Sequence, residues 1–288
     1  MKINDSVVDR DTYAVVGDPI DHSLSPAIHQ LFAEQCGVAL RYERWHLSAE
    51  NFEQSVVAFF ENGGGGLNIT APHKLRAFRL CSTVANRASL SEAANTLFSS
   101  QDGIAGDNTD GKGLLSDIDR LGWPVAGQRI LLVGAGGAVR GVLSSLLEAD
   151  PQQVVIVNRT AEKASQLAEM FIANKQVEHA APIVAAGLDY SDAPFDLVIN
   201  GTSAAYGNAA PDIDMRLLSG ANCYDMMYGK ELTPFLSAAR DGGAKALADG
   251  LGMLVGQAAE SFFIWLNKEP DIEPVIAQIR ERISQTSE

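Results

Sequence analysis

Residues 130–141 read Ile-Leu-Leu-Val-Gly-Ala-Gly-Gly-Ala-Val-Arg-Gly, and residues 154–160 read Val-Val-Ile-Val-Asn-Arg-Thr. An apolar strand, a glycine turn, a helix and a second apolar strand in that order constrain this stretch to a parallel βαβ unit. Gly134 and Gly136 allow a tight turn and let backbone N–H groups approach a pyrophosphate. A helix starting near Gly137 points its positive end at that charge. Ala135 and Ala138 complete the turn. The strict fingerprint has a third glycine, and this chain has Val139 there. The glycine pattern alone is weak; the two flanking strands strengthen it.

The residue closing the second strand selects the dinucleotide. An NAD site places an Asp or Glu there to accept from the ribose 2′-hydroxyl. Here the chain reads Asn158-Arg159-Thr160, with Lys163 three residues on. No carboxylate repels a 2′-phosphate and two cations attract it, while the Arg159 guanidinium can stack on adenine. The pattern points to NADP. The same Arg and Lys also fit an ordinary solvated start of a helix.

The chain has 288 residues, room for two domains. It is 46% hydrophobic and 20% charged, the balance of a soluble globular protein. No apolar run of membrane-spanning length occurs. Residues 1–5 are polar and lack the apolar core of a signal peptide. Three widely spaced cysteines suit a reducing cytoplasm and show neither a disulfide framework nor a metal pattern. The net charge of −14 disfavours nucleic acid as a partner, because such binding needs a basic face. An anionic small molecule must then be held by local donors against an unfavourable global field.

The glycine turn lies near the middle of the chain, so over a hundred residues must form something else first. Tyr13–Val16 reads as a buried strand. Ser25-Pro26 opens a helix that Gly37 stops. Arg41–Leu47 reads as a strand and Asn51–Phe60 as a helix. The glycine run 63–66 leads into a strand at Leu67–Thr70; lacking a Gly-Lys-Ser/Thr ending, it reads as a turn and not as a phosphate loop. Thr96–Ser99 and Gly103–Gly106 form a last pair of strands. A helix from Gly111 to Leu121 precedes the dinucleotide fold, whose later strands fall at Leu197–Asn200, Cys223–Asp225 and Ala244–Ala246. A long apolar helix covers Leu251–Leu266, and another follows Pro270. The fold class is α/β with two α/β domains: residues 1–110, and 111–249 as a Rossmann-type domain.

Several polar clusters remain. Ser23-Leu24-Ser25 precedes the first helix, and Ser25 reads either as its N-cap or, with Ser23, as a carboxylate site at a helix N-terminus. In Asn68-Ile69-Thr70-Ala71-Pro72-His73-Lys74, alternation sends Asn68 and Thr70 to one side, and Lys74 follows Pro72 in a loop. Asn95 stands at a strand start. Gly106-Asp107-Asn108-Thr109-Asp110-Gly111 fits a hinge in which Asp110 caps the next helix.

These segments, with Ala-Asn-Thr at 94–96, Tyr-Asp-Met-x-Tyr at 224–228 and Ala-Asp-Gly-Leu-x-Met-Leu-x-x-Gln at 248–257, resemble the shikimate dehydrogenase family in order and spacing over nearly the whole chain. The resemblance implies an N-terminal substrate-binding domain completed by the C-terminal helices 250–288, an NADP-binding domain, and an active site in the cleft between them. It implies that Ser23 and Ser25 hold a substrate carboxylate. Asn68, Thr70, Asn95, Asp110 and Gln257 would hold ring hydroxyls, and Tyr228 would line the pocket. Lys74 and Asp110 would form the acid–base pair, with the proton-transferring member open. NADP would contact Gly134, Ala135, Gly136, Gly137, Ala138, Asn158, Arg159, Thr160, Lys163, Thr202, Met226 and Gly250, with Asn86 near its nicotinamide end.

This chain departs from the family pattern at several places. His73 replaces the usual Phe beside Lys74, either altering the local pH response or sitting idle on the rim. Asn86 stands where an acidic residue is usual, Ser-Glu at 91–92 replaces Ala-Gly, and Gly201 replaces Ala. The expected activity is reduction of 3-dehydroshikimate to shikimate with NADPH. A quinate/shikimate dehydrogenase, a paralogue with another substrate, and a non-catalytic binder of a shikimate-like ligand are the competing readings. Oligomeric state stays open between monomer and homodimer.

Overall fold

The computed structural model describes residues 9–173, 181–202 and 209–285. The polar N-terminal residues 1–5 and the last three residues lie outside them. The chain divides into two compact units. One runs to Gly113 and takes up Val255–Glu281; the other is Leu114–Leu254 with the chain from Arg282.

The first unit carries β1 (Thr12–Gly17), α1 (Ser25–Cys36), β2 (Arg41–His46), α2 (Phe52–Glu61), β3 (Gly66–Ile69), α3 (Lys74–Leu80), β4 (Thr83–Val84), α4 (Asn86–Ser91), β5 (Thr96–Ser100) and β6 (Gly103–Asp107). The strand order is β2-β1-β3-β5-β6-β4. β1 pairs in parallel with β2 and β3, while β5 lies antiparallel to β3 and β6. Ala14, Val16, Leu67, Ile69 and Leu97 meet Phe52, Val56 and Phe59 of α2 in one core. Such buried strands read as apolar runs, which makes them visible in the sequence. The glycines 64–66 are a packing device: a side chain at Gly64, Gly65 or Gly66 would run into Phe59, Tyr13 or Trp265. No space for a phosphate remains at these three.

Lys74 is not in a loop. It opens α3, because the chain resumes a helix directly after Pro72, with His73 at the N-cap. α3, the two-residue β4 and the six-residue α4 carry no periodic signal because each is too short to show one.

α5 (Asp110–Arg120) and α9 (Leu251–Leu266) each belong partly to both units, so the division falls at 113/114 and 254/255 and not at 110/111 and 249/250. In the first unit, Trp265 of α9 lies against Tyr13 with ring centroids 5.0 Å apart and donates to Leu97 O at 3.1 Å. α10 (Ile272–Gln285) follows.

The second unit holds β7 (Arg129–Val133), α6 (Gly137–Glu148), β8 (Gln153–Val157), α7 (Ala161–Ala173), β9 (Ile183–Ala186), β10 (Leu197–Asn200), a 3-10 turn at Met215–Leu218, β11 (Asn222–Asp225), α8 (Pro234–Asp241) and β12 (Ala246–Asp249). β12 starts two residues later than the sequence pattern places it. All pairs are parallel, in the order β12-β11-β10-β7-β8-β9. This is the doubly wound order of dinucleotide-binding folds, with its switch point between β7 and β10.

Val139, where the fingerprint has its third glycine, is fully buried. That glycine normally lets the helix approach the sheet. Here the room comes from the other side: a Cβ on Gly201 would sit 2.5 Å from Val139 Cγ2 and 3.1 Å from Met226 Sδ. A β-branched side chain in a helix has little rotamer freedom with which to yield. Gly201→Ala should therefore cost about 1–3 kcal/mol by overpacking. Adding Val139→Ala should recover most of it, both read from urea unfolding midpoints. Equal midpoints for wild type and Gly201→Ala would refute the complementarity.

Candidate functional site

The start of α1 presents two hydroxyls. Ser25 is not the N-cap; that position is Leu24, which makes no side-chain cap. Ser23 supplies the hydroxyl instead: its Oγ accepts from Ser25 N–H at 3.3 Å and donates to Ser25 Oγ at 3.2 Å. Ser25 is placed one residue inside the helix because Pro26 occupies the first turn and fixes where the helix begins.

β3 ends beside Thr70, whose N–H donates to Val16 O at 2.9 Å. Four residues on, the Lys74 ammonium donates to Asp110 Oδ2. Asp110 opens α5, its own N–H donating to Asn108 Oδ1 at 3.2 Å. Asp110 Oδ1 accepts from Asn95 Nδ2 at 2.8 Å. The carboxylate therefore has a partner on each oxygen, as a largely buried ion pair requires. Its side chain is 8% exposed and that of Lys74 25%, so the amine keeps access to a ligand.

Asn95 is itself fixed. Its Oδ1 accepts from Thr109 N–H and Thr96 Oγ1, both at 2.9 Å. Gln257 Oε1 lies 3.4 Å from Asn95 Nδ2. Asn68 is the second hub: its Oδ1 accepts from Tyr42 Oη at 2.6 Å and faces His29 Nε2 at 3.2 Å. Its Nδ2 donates to Ser261 Oγ at 2.9 Å. Ser261 Oγ and Thr96 Oγ1 share a hydrogen bond of 2.7 Å, which joins the two hubs. Ser23, Ser25, Asn68, Thr70, Lys74, Asn95, Asp110 and Gln257 all belong to the first unit.

The second unit carries the glycine turn. Gly134 has φ +112°, which a side chain rarely adopts, and a Cβ there would sit 3.1 Å from Thr202 Cγ2. At Gly136 and Gly137 nothing lies within 4 Å of such an atom, and α6 starts with no side-chain cap. Helix N–H groups are thus presented to open space. Thr202 donates from N and Oγ1 to Asn200 Oδ1 at 3.2 and 2.8 Å, and Asn200 Nδ2 donates to Asp225 Oδ1 at 3.0 Å. Asp225 also accepts from Met227 N–H at 3.1 Å and Thr233 Oγ1 at 2.5 Å. Burial raises its carboxyl pKa, partly offset by these donors. Gly250 packs so closely on the Met226 backbone that no side chain fits, and donates to Met227 O at 3.0 Å. Asn158 Nδ2 donates to Thr160 O at 2.9 Å, and Arg159 and Lys163 are exposed beside it. Tyr228 is partly buried in the segment after Met226.

Comparison with known proteins matches three stretches: residues 15–97 to the shikimate dehydrogenase substrate binding domain, 119–206 to shikimate / quinate 5-dehydrogenase, and 250–280 to the shikimate 5'-dehydrogenase C-terminal domain. The shikimate dehydrogenase (NADP(+)) of Cellvibrio japonicus (strain Ueda107) is 50% identical over 96% of this chain and 99% of its own. The chain belongs to the shikimate dehydrogenase family. The solved structure of an Ael1 enzyme from Pseudomonas putida is 44% identical, with a TM-score of 0.87 over 93% of this chain and 97% of that one. Shikimate 5-dehydrogenase from Thermus thermophilus, solved with NADP(H) and shikimate, is 30% identical, with a TM-score of 0.82 over 94% and 99%.

Against the family pattern, His73 is not a rim residue. It is fully buried, stacked on Phe52 with centroids 4.5 Å apart, its Nε2 2.7 Å from Leu47 O. It takes the flat aromatic place of the usual Phe and adds one hydrogen bond. Asn86 is exposed at the start of α4 in the first unit. Its neighbour Arg87, which no spacing flags, grips both oxygens of Asp107 at 2.7 Å and Glu260 at 2.8 Å. It thereby ties β6, which leads into Asp110, to α9. Among the described residues no group of three His, Cys, Asp or Glu could hold a metal ion, and no helix is long and apolar enough to cross a membrane. Burial pushes the thiols of Cys81 and Cys223 up to about 12, so neither is a nucleophile.

His29 is also silent in the sequence. Its ring stacks on Tyr42 with centroids 4.2 Å apart, and its buried Nδ1 has no partner. Because Asn68 offers an oxygen, the neutral ring carries its proton on Nε2. Burial lowers the pKa from 6.5 to about 3. Below pH 6.5 the unfolded chain binds a proton that the folded chain refuses, so stability falls as pH drops from 6.5 towards 3. The steepest contribution from one such group is about 1.4 kcal/mol per pH unit. His29→Phe should flatten the pH dependence of the urea midpoint in this window; an unchanged slope would remove His29 as the cause.

Proposed function

We propose that this chain catalyses the reversible reduction of 3-dehydroshikimate to shikimate with NADPH, using Lys74 and Asp110 as its acid–base pair. The observation that carries this reading is the Lys74–Asp110 contact braced by Asn95 in a member of this family. The glycine turn fits the cofactor: a positive-φ glycine, two open glycines and an uncapped 12-residue helix offer N–H groups to a pyrophosphate. Arg159 and Lys163, with no carboxylate at Asn158, fit a 2′-phosphate. NADPH supplies the hydride when bound; the protein contributes orientation and proton management.

Ser23 and Ser25 hold the substrate carboxylate at the start of α1. Thr70, Asn95 and Gln257 hold ring hydroxyls, with Tyr228 beside the substrate. Asn68 has protein partners on both ends of its amide, and its part is to brace Asn95 through Ser261 and Thr96. When the ring ketone takes a hydride, negative charge grows on its oxygen. The Lys74 ammonium stabilises that charge and the pair delivers the proton. In the reverse direction the pair receives it. All these groups lie on one chain, so we propose a monomer or homodimer. We also propose a cytoplasmic location, which its free cysteines and the NADPH-dependent role proposed here support.

Lys74→Ala or Asp110→Asn should lower kcat by about two to four orders of magnitude, the span of general acid–base catalysis. The Kd for NADPH by fluorescence titration should stay within about threefold, since the turn needs neither residue. Near-normal turnover in either variant would sink the assignment. Arg159→Ala should raise KM for NADPH about tenfold or more through loss of one charge-assisted contact. KM for NADH should be unmoved. Equal losses with both cofactors would mean that Arg159 does not read the 2′-phosphate.

A further inference from the structure

Beside the two serines stands a cation that no motif announces. Arg44 lies on β2 two residues after Tyr42, so both side chains leave the same face of the strand. Tyr42 reaches Asn68 from that face. Arg44 reaches the serine loop: its Nε and one Nη donate to Ser23 O at 2.8 and 2.6 Å. A guanidinium has five N–H donors, and one carbonyl engages only two of them. Its β2 neighbours have acidic partners, Arg41 at 3.5 Å from Glu43 and His46 at 2.7 Å from Asp18. Among the described residues no carboxylate pairs with Arg44, and its side chain is exposed. An unpaired positive charge is thus anchored to the residue that carries one of the two carboxylate-binding hydroxyls.

The chain as a whole carries −14. An anionic substrate approaches against that field, and two neutral hydroxyls supply no charge to offset it. We propose that Arg44 is a specificity-determining residue whose guanidinium supplies the local positive potential that selects a carboxylate at Ser23 and Ser25. This rests on the reading of Ser23 and Ser25 given above and adds a reason for preferring an acid over its uncharged analogue.

The test compares shikimate with its methyl ester as substrates for oxidation with NADP+, in wild type, Arg44→Lys and Arg44→Gln. For Arg44→Gln, KM for shikimate should rise about fivefold with kcat within about twofold, as loss of one partly screened charge implies. KM for the ester should stay within about twofold, and Arg44→Lys, which keeps the charge but not the two-pronged bond to Ser23 O, should retain most of the preference for the acid. The ratio of variant to wild-type KM for shikimate should fall towards one as ionic strength rises from about 20 to about 500 mM, because the Debye length shrinks below the separation involved. A rise in KM shared equally by acid and ester, or one that salt does not reduce, overturns the proposal and leaves Arg44 as a brace for Ser23. A wild type that turns over neither compound overturns the functional reading itself, and this inference with it.

Discussion

The structure of the first unit depends on keeping one carboxylate in place. Asp110 is nearly buried, and moving a charge out of water costs several kcal/mol unless partners replace the lost solvation. Lys74 supplies the opposite charge and Asn95 a neutral donor to the other oxygen. A second cation in place of Asn95 would leave an uncompensated charge there, whereas an amide satisfies the lone pair without adding one. The amide must then be prevented from rotating. Thr109 N–H and Thr96 Oγ1 both donate to its oxygen, so a flipped amide would set N–H against N–H.

The same logic repeats one strand away. Asn68 is held by two donors on its oxygen, from His29 and Tyr42, and by an acceptor on its nitrogen. Two buried asparagines with fixed orientation, joined through Ser261 and Thr96, form a continuous polar layer that ends on Asp110. Linked bonds polarise one another, and each unsatisfied member would cost more here than in water. In the second unit Asp225 plays the corresponding part without a cation. It is held by Asn200, Thr233 and the Met227 N–H, and its carboxyl pKa is raised by burial. The two carboxylates differ in their partners: Asp110 keeps a cation beside it, while Asp225 has only neutral donors and fixes the residues just after β10 and β11.

How much of this the sequence discloses depends on how local the cause is. Gly134 is legible because a positive-φ turn accepts glycine at once and little else. The buried strands are legible because a strand covered on both faces is an uninterrupted apolar run. Val139 reads as a defect, because the residue that makes room for it is Gly201, sixty-two positions away and just past β10. His73 reads as a rim group because a strand-ending Pro72 suggests a loop, when the chain turns straight into α3 and carries the ring under Phe52. His29 and Arg44 are silent for a related reason. Their partners, Asn68 and the carbonyl of Ser23, are 39 and 21 residues away, and no spacing rule reaches across strand pairing.

Strand pairing is also what brings Asn95 and Asp110 together, and the register accounts for it. The β5–β6 hairpin pairs Thr96 with Asp107. The next residues outward are therefore Asn95 on one strand and Asn108 on the other, and they leave the sheet side by side. Asn95 N–H bonds to Asp107 O at 2.9 Å, extending the ladder one step beyond the strands. The other edge of β5 pairs Thr96 with Asn68 of β3. One residue, Thr96, is thus the cross-strand partner of both flanking positions, and its hydroxyl faces both hubs. A slip of one residue in either pairing would send Thr96 to the opposite face and uncouple them. The antiparallel hairpin set into an otherwise mostly parallel sheet has this consequence: it brings the start of β5, the end of β6 and the first turn of α5 to one point. Parallel pairing there would need a long crossover and could not place Asn95 and Asp110 within one hydrogen bond of each other.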